Sequence, residues 1–358
     1  MFEHDYSPAD RLLHRLALGS PALVELSFDL DQRAVRAVEG AEDAAAGHHV
    51  FVTGLARSGT TVILRRLHDS GIFRSLTYRD MPFPLAPNLW ARLSGRWRRG
   101  GRAAGRAHGD GIDVDADSPE ALEEPFWRIH CGGEYIRRDG LMPHEPDEEV
   151  IAAFHRYVAA ILHGAPPGRV RYLSKNNNSI LRLPSLQRAF PHAAFIIPFR
   201  HPAVHALSLW RQHAHFCGLQ ERSPFIRRYM DWLAHHEFGL GHKPFLMDGA
   251  PPDHLTPDMP DYWLDLWIRV YRLLAGQHGP GRLLVCHEDL CADPSVWTRL
   301  CLRLGMTEAA PARFALPRGR RPGQFDPGRM AVAEALYALL RDLADGTPLP
   351  QSQVTSTL

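Results

Sequence analysis

Two periodicities of apolar residues alternate along the chain. Leu12, Leu13 and Leu16 recur at helical spacing and, with an alanine-rich stretch after residue 31, predict a helical N-terminal segment over residues 1–46. Short continuous apolar runs, typical of buried strands, follow at residues 49–53, 169–174, 194–199 and 282–286. Helical periodicity lies around them, at residues 60–69, 181–190, from Pro202 onward, 262–271 and 329–342. This alternation predicts an α/β fold of three layers, with a central parallel sheet flanked by helices.

Two segments interrupt this pattern. Residues 92–117 are rich in Gly, Arg and Asp, and we expect them to form a loop-like insertion. Residues 247–260 are rich in proline and predict a surface connection. A length of 358 residues allows one large domain or two smaller ones, and we interpret residues 1–358 as a single domain.

Composition narrows the class of protein. A net charge of +1 argues against bulk binding of nucleic acid, so any basic site must be local. No apolar run approaches the roughly 18 residues of a membrane span, and the acidic N-terminus is unlike a signal peptide. The five cysteines are odd in number and form no CxxC pair, which is typical of a reducing compartment. We therefore expect a cytoplasmic protein with no transmembrane segment.

Metal binding is not expected. Asp113, Asp115 and Asp117, with Glu124 further on, imitate a calcium loop, but Ser118 stands where such a loop needs glycine. We expect Ser118 instead to cap a helix that has Pro119 at its first position. The histidine pairs lack the spacing of a zinc site.

The first candidate site is the loop of residues 54–61, Gly-Leu-Ala-Arg-Ser-Gly-Thr-Thr, between a predicted strand and a predicted helix. The spacing of its glycines is that of a loop whose backbone N–H groups cradle a phosphate. Loops that hydrolyse nucleotides have lysine after the second glycine, whereas here Thr60 takes that place and the positive charge lies at Arg57. A helix start that merely uses Ser58 as its N-cap is the alternative.

A second candidate site follows the strand of residues 194–199. Arg200 falls at the carboxyl end of that strand, where open α/β sheets place ligands, and Ser208 lies about two turns into the next helix. Alone this spacing says little, because a serine in a helix often bonds its own backbone.

Taken together, Arg57-Ser58-Gly59-Thr60-Thr61 and Arg200 with Ser208 resemble the motifs of sulfotransferases that use 3′-phosphoadenosine 5′-phosphosulfate (PAPS). The resemblance covers about residues 49–300 and includes His-Glu-Asp-Leu at 287–290. It implies a P-loop-like fold, PAPS as co-substrate, and a loop that holds the 5′-phosphosulfate. It also implies that Arg200 and Ser208 hold the 3′-phosphate. We interpret the acids of residues 287–290 as structural, capping the next helix.

Transfer of a sulfuryl group to a hydroxyl or amine needs a cation at the leaving oxygen and a base for the acceptor proton. Arg57 and Lys175 are the candidate cations, and Lys175 resembles the lysine of an element in tyrosylprotein-type sulfotransferases; an incidental surface lysine is the alternative. Asp80 is the first choice of base, although an ion pair with Arg79 would make it structural. The other candidate bases are His108, Asp110, Glu123 and Glu124.

The acceptor stays open between a small molecule, a glycan and a lipid. The arginines of residues 92–106 would suit an acidic acceptor or a merely solvated loop. A P-loop kinase of small molecules and a non-catalytic nucleotide-binding protein are the rival functions.

Overall fold

The architecture comes from a computed structural model that describes residues 7–94, 104–105, 113–247, 254–306, 312–315 and 325–346. Its strands are β1 (Val50–Val52), β2 (Phe73–Arg74), β3 (Ala104–Gly105), β4 (Asp113–Val114), β5 (Arg171–Lys175), β6 (Ala194–Phe199) and β7 (Arg282–Cys286). Its helices are α1 (Pro8–Gly19), α2 (Pro21–Ala34), α3 (Ala41–Ala46), α4 (Thr60–Asp69), α5 (Pro87–Ser94), α6 (Glu124–Tyr135), α7 (Glu148–His163), α8 (Leu183–Ala189), α9 (Pro202–Arg222), α10 (Pro224–Trp232), α11 (Pro260–Gly276), α12 (His287–Ala292), α13 (Pro294–Arg303) and α14 (Pro327–Ala344).

Five of these strands form one parallel sheet in the order β2-β5-β1-β6-β7. The strand β1 lies at its centre, with Val50 opposite Leu173 of β5 and Ala194 of β6. The short strands β3 and β4 form a separate antiparallel pair. The predicted α/β fold with a central parallel sheet is confirmed.

Helices cover both faces of this sheet because its central strands are apolar on both sides. On one face Phe51 of β1 stacks on Phe195 of β6, with ring centroids 5.1 Å apart, inside the larger core cluster. On the other face Val50 and Val52 belong to a second cluster with Ile63 of α4. The three predicted layers follow from this alternation.

The predicted N-terminal helical segment is present in its described part as α1, α2 and α3. Helix α3 packs on α7, α2 packs on α5 and α7, and α1 packs on α10. Phe28 of α2 packs edge-on against the stacked rings of Phe126 and Tyr157. The segment is therefore bound to the same core cluster as the sheet.

The expected helix start at Ser118 and Pro119 is wrong, because α6 begins at Glu124. Ser118 instead closes a turn: its hydroxyl bonds the carboxylate of Asp115 at 2.8 Å and accepts from the N–H of Asp115 at 3.0 Å. Pro119 then forms a bridge with Thr77. The backbone here pairs with a distant segment, and the capping pattern of Ser118 and Pro119 therefore does not start a helix.

The five cysteines are free thiols; Cys131, Cys286 and Cys301 are buried, and Cys217 and Cys291 are partly exposed. None of the helices in the described part of the chain combines the length and apolar character that a bilayer crossing needs.

Candidate functional site

The site lies where the winding of the sheet changes direction. From β1 the chain continues through α4 toward the β2 edge, whereas from β6 it continues through α9 and α11 toward the β7 edge. Since these connections leave two adjacent strands in opposite directions, a crevice opens at the carboxyl ends of β1 and β6. The loop of residues 54–61 and Arg200 both begin at that edge.

The 54–61 loop has a left-handed backbone at three positions. Gly54 has φ +129°, Gly59 has φ +109° and Arg57 has φ +70°. A positive φ is unfavourable for arginine, so the fold holds Arg57 in a strained conformation of the kind that is often found at binding sites.

Helix α4 follows this loop without a side-chain cap. Its N-cap is Gly59, not Ser58, and the helix has no side-chain capping hydrogen bond. The alternative reading, in which Ser58 caps the helix, is therefore wrong. The uncapped N–H groups and the helix dipole favour an anion at this point.

The two candidate motifs meet in the fold. Nη1 of Arg200 donates to the carbonyl of Arg57 at 3.0 Å, and Nε of Arg57 donates to Oγ of Ser208 at 3.4 Å. Arg200 is only 5% exposed, and its Nε has no hydrogen-bond partner among the described residues. Burial lowers the pKa of Arg200, although Glu288 acts against this. A buried guanidinium with an unsatisfied donor favours an anionic ligand.

Two histidines that sequence reasoning did not select support the loop. The ring of His205 is fully buried and donates from Nε2 to the carbonyl of Ala56 at 2.8 Å, since a carbonyl can only accept. Burial, together with the charge of Arg200, lowers its pKa to about 3. His287 packs so closely that a Cβ at Gly59 would lie 2.7 Å from its Nδ1. Burial lowers the pKa of His287 to about 4, so both rings are neutral near pH 7.

The acids of residues 287–290 tie other elements to this edge. Glu288 accepts from the N–H of His201, which precedes α9, at 3.1 Å, and from the hydroxyl of Tyr337 on α14 at 3.2 Å. Asp289 pairs with Arg341 at 2.9 Å. The expected cap of the next helix is wrong, because α12 has no side-chain cap and Glu288 instead binds the N–H of His201 at the start of α9.

Lys175 is the last residue of β5 and lies opposite Val52 in the neighbouring strand. It is 9% exposed. The next residues join the end of β5 to the start of the loop: the N–H of Asn176 donates to the carbonyl of Val52 at 3.0 Å, and Thr53 donates to the carbonyl of Asn177 at 3.4 Å. Lys175 therefore belongs to the same edge of the sheet as Arg57.

The Asp80 carboxylate is engaged in a turn of three residues, Tyr78–Asp80. It accepts from Nη2 of Arg74 at 3.0 and 3.2 Å, and from the N–H and hydroxyl of Thr77 at 2.7 and 3.2 Å. The alternative, an ion pair of Asp80 with Arg79, is wrong in its partner, since Arg79 pairs with Asp117 and Asp80 pairs with Arg74. Asp80 points back toward its own N-cap, and the catalytic role of Asp80 stays a prediction.

Glu124 lies in a fully buried ion pair. It accepts from Nη2 and Nη1 of Arg182 at 2.9 and 3.0 Å, from Tyr135 at 2.5 Å, and from Nδ2 of Asn176 at 2.6 Å. Burial alone would raise the pKa of Glu124, but the charge and hydrogen bonds of Arg182 outweigh it and hold this pKa below its ordinary value.

Glu123 extends the same network toward β5. It accepts from the indole of Trp127 and the hydroxyl of Tyr172, both at 2.9 Å, and from Nδ2 of Asn176 at 3.2 Å. Asn176, the residue next to Lys175, therefore binds both carboxylates. The other candidate bases, His108 and Asp110, lie outside the described residues, as does most of the arginine-rich stretch 92–106.

In the part of the chain that the structure describes, no cluster of three or more His, Cys, Asp or Glu side chains is arranged to hold a metal ion.

Comparison with known proteins gives one family. A model described as "Sulfotransferase family" matches residues 49–246. Among solved structures, sulfotransferase STF1 from Mycobacterium tuberculosis H37Rv is 14% identical, with coverage of 98% of this chain and 85% of that one and a TM-score of 0.45. STF9 from Mycobacterium avium is 16% identical, with coverage of 98% and 88% and a TM-score of 0.44. The sulfotransferase domain from the curacin biosynthetic pathway is 13% identical, with coverage of 87% and 96% and a TM-score of 0.35. A search of curated proteins found no match.

Proposed function

The chain belongs to the sulfotransferase family, and from this premise we propose that it transfers a sulfuryl group from PAPS to a hydroxyl or amine acceptor and releases 3′,5′-ADP. The observation that supports PAPS in particular is the meeting of Arg57, Arg200 and Ser208 at one crevice. PAPS carries phosphate groups at both the 3′ and the 5′ position of its ribose and therefore needs two anion sites. In this proposal the two motifs form these sites, and hydrogen bonds connect one motif to the other.

In this proposal the residues of the 54–61 loop hold the 5′-phosphosulfate through backbone N–H groups, hydroxyls and the Arg57 guanidinium. Arg200 and Ser208 hold the 3′-phosphate. The unsatisfied Nε of the buried Arg200 fits this role, since a phosphate oxygen would give it a charge-assisted partner.

PAPS supplies an activated sulfuryl group on a good leaving group. The acceptor oxygen or nitrogen forms a bond to sulfur, the bond from sulfur to the phosphate oxygen breaks, and negative charge grows on 3′,5′-ADP. Lys175, which ends β5, and Arg57, in the loop that follows the neighbouring strand β1, stabilise that charge in the proposed mechanism. Asp80, the base that the sequence favours, would have to accept a proton while Arg74 and Thr77 bind it.

Thermal unfolding with 3′,5′-ADP and with ADP, each with and without Mg²⁺, tests the donor site. We expect 3′,5′-ADP to stabilise the protein by about 2.7 kcal/mol at a hundred times its Kd, and ADP to stabilise it much less. Arg200→Ala should remove this preference. Because Arg200 also binds the loop, Ser208→Ala serves as a milder variant, and Arg188→Ala, on an exposed arginine, is the matched control.

The rival functions predict other results. A small-molecule kinase would be stabilised most by ADP or ATP with Mg²⁺, and a non-catalytic protein would bind 3′,5′-ADP without turning over PAPS with any acceptor. Equal stabilisation by ADP and 3′,5′-ADP would contradict a 3′-phosphate site.

A further inference from the structure

The end of β5 presents its side chains to two different layers of the fold. Side chains alternate between the two faces of a strand; Leu173 packs with Ile63 of α4, whereas Tyr172 belongs to the core on the other face. Lys175, two residues after Leu173, therefore lies on the face that α4 covers. Because α4 begins within the 54–61 loop at the carboxyl edge of the sheet, this face directs Lys175 toward the proposed site of the 5′-phosphosulfate.

Asn176 continues the strand and faces the other layer. Its backbone is extended, with φ −145° and ψ 111°, and its N–H continues the pairing with β1. The side-chain Nδ2 donates to Glu124 at 2.6 Å and to Glu123 at 3.2 Å, and Oδ1 accepts from the N–H of Asn178 at 3.1 Å. The side chain is thus held at three points, on the face of the strand opposite to Lys175.

The two carboxylates that hold Asn176 are fixed in turn. Glu124 lies in the ion pair with Arg182, and Glu123 accepts from the hydroxyl of Tyr172 at 2.9 Å. Since Tyr172 also belongs to β5, Glu123 connects two points of that strand to the start of α6. All five residues are at most 4% exposed. A buried polar network of this kind is rigid, so it fixes the direction in which β5 ends.

We propose that Asn176 is a positioning residue for Lys175, and that its amide, held by the two carboxylates, keeps the ammonium group at the 5′ end of the donor. The inference rests on the proposed sulfuryl transfer. There the acceptor forms a bond to sulfur and gives its proton to a base, while the electron pair of the broken S–O bond stays on the phosphate oxygen of 3′,5′-ADP. Lys175 keeps its own protons and stabilises that oxygen through its charge. Asn176 contacts neither donor nor acceptor in this role and acts through the direction of β5.

The test follows both phosphates of bound 3′,5′-ADP by phosphorus NMR as the pH is varied. A nearby ammonium group favours the dianion of a phosphate and lowers its pKa. We expect Lys175→Ala to raise the pKa of the bound 5′-phosphate by about one pH unit and to leave that of the 3′-phosphate unchanged. Asn176→Ala should produce part of the same rise, because the ammonium group is no longer held in place. The double variant should match Lys175→Ala alone, because Asn176 acts only through Lys175.

Two further variants separate positioning from stability. Asn176→Ser keeps a hydroxyl that can donate to one carboxylate, so it should give a smaller rise and serves if Asn176→Ala does not fold. Asn88→Ala is the matched control: Asn88, on α5, is also buried, and its Nδ2 donates to Asp31 and to the carbonyl of Ala160, both at 2.9 Å. This control should lower the free energy of unfolding and leave the pKa of each phosphate unchanged.

A pKa of the 5′-phosphate that stays the same in Lys175→Ala, or in the Asn176 variants, would overturn the inference. A rise that Asn88→Ala shares, or that the double variant adds to Lys175→Ala, would overturn it as well, since the effect would then not pass through Lys175. The wild-type preference for 3′,5′-ADP over ADP separates the inference from its premise. If that preference holds, these outcomes remove only the positioning role, whereas its absence means that the proposed function itself has failed.

Discussion

At the scale of single residues, the Glu124–Arg182 pair shows how much an internal charge depends on its partner. The side chains of both residues are at most 2% exposed. We expect Glu124→Ala to lower the free energy of unfolding by about 3–5 kcal/mol, because it leaves a buried guanidinium without a counter-charge. Urea unfolding followed by circular dichroism measures this difference.

An exposed pair provides the comparison. Asp117 faces Arg79 at a site where their side chains are 65% and 40% exposed. Asp117→Ala should cost less than about 1 kcal/mol, since water and salt screen such a pair. Equal losses in the two variants would contradict the argument from burial.

The same scale shows what the sequence predicts about the site. The loop that holds Arg57 could be predicted between a strand and a helix, because its glycine spacing lies within eight consecutive residues. The partner of Asp80 could not, since a three-residue turn directs the carboxylate to Arg74 and away from the adjacent Arg79. His205 had no sequence signal, because only folding brings it to the carbonyl of Ala56, 149 positions earlier in the chain.

At the scale of elements, the start of α4 depends on Gly59. Its φ of +109° is unfavourable for any other residue, and an added Cβ would lie 2.7 Å from His287. We expect Gly59→Ala to cost more than about 1 kcal/mol of stability and to weaken binding of 3′,5′-ADP at least tenfold, because the loop must shift to relieve both strains. Calorimetric titration with 3′,5′-ADP and urea unfolding measure the two effects.

Gly71 is the matched control, because it has a φ of +77° with nothing within 4 Å of an added Cβ. Gly71→Ala should lower stability through backbone strain alone and leave the affinity for 3′,5′-ADP unchanged. If it weakened binding as much as Gly59→Ala, global strain rather than the local contact with His287 would explain the loss.

Elements also differ in how well their patterns predict them. The bounds of β6 and β7 coincide with the predicted runs, because each is a buried strand with continuous apolar character. Strand β2 has two residues at an edge of the sheet, too few for any periodicity to appear. The start of α6 was misplaced because Ser118 and Pro119 resemble a helix start in sequence but pair with another segment in the fold.

At the scale of the whole molecule, buried neutral histidines make stability depend on pH. Burial lowers the pKa of His49 and His287 to about 4 and of His205 to about 3. Below about pH 6.5 the unfolded chain therefore binds protons on these histidines, whereas the folded chain binds them only near pH 4 or below. Stability is fully present above pH 6.5 and is lost as the pH falls through this window.

Between pH 7.5 and 5.5 we expect each of these histidines to remove about 1.4 kcal/mol from the free energy of unfolding. Urea unfolding at both pH values measures the sum. His205→Gln keeps a donor for the carbonyl of Ala56 and should reduce the change by about 1.4 kcal/mol. A free energy that stayed constant over this range would show that these rings bind protons in the native protein at the same pH as in the unfolded chain.

The fold as a whole was more predictable than the contacts within the candidate site. Alternating strands and helices dictate a parallel sheet covered on both faces, and the structure has one. The order of the strands determines which loops lie together, and no single segment of the sequence predicts that order. Arg57 and Arg200 come together because β1 and β6 are neighbours, although 143 positions separate them.

The reactivity of the buried cysteines reports local opening of the folded protein. Burial raises the pKa of Cys131 and Cys286 to about 12 and of Cys301 to about 11, so alkylating reagents meet almost no thiolate in the closed state. Each alkylation event then records a transient opening. Cys131 lies on α6, the helix of Glu124, and Cys286 ends β7 beside Glu288. Mass spectrometry of the alkylated peptides would therefore measure the rate at which these two regions open, without any mutation.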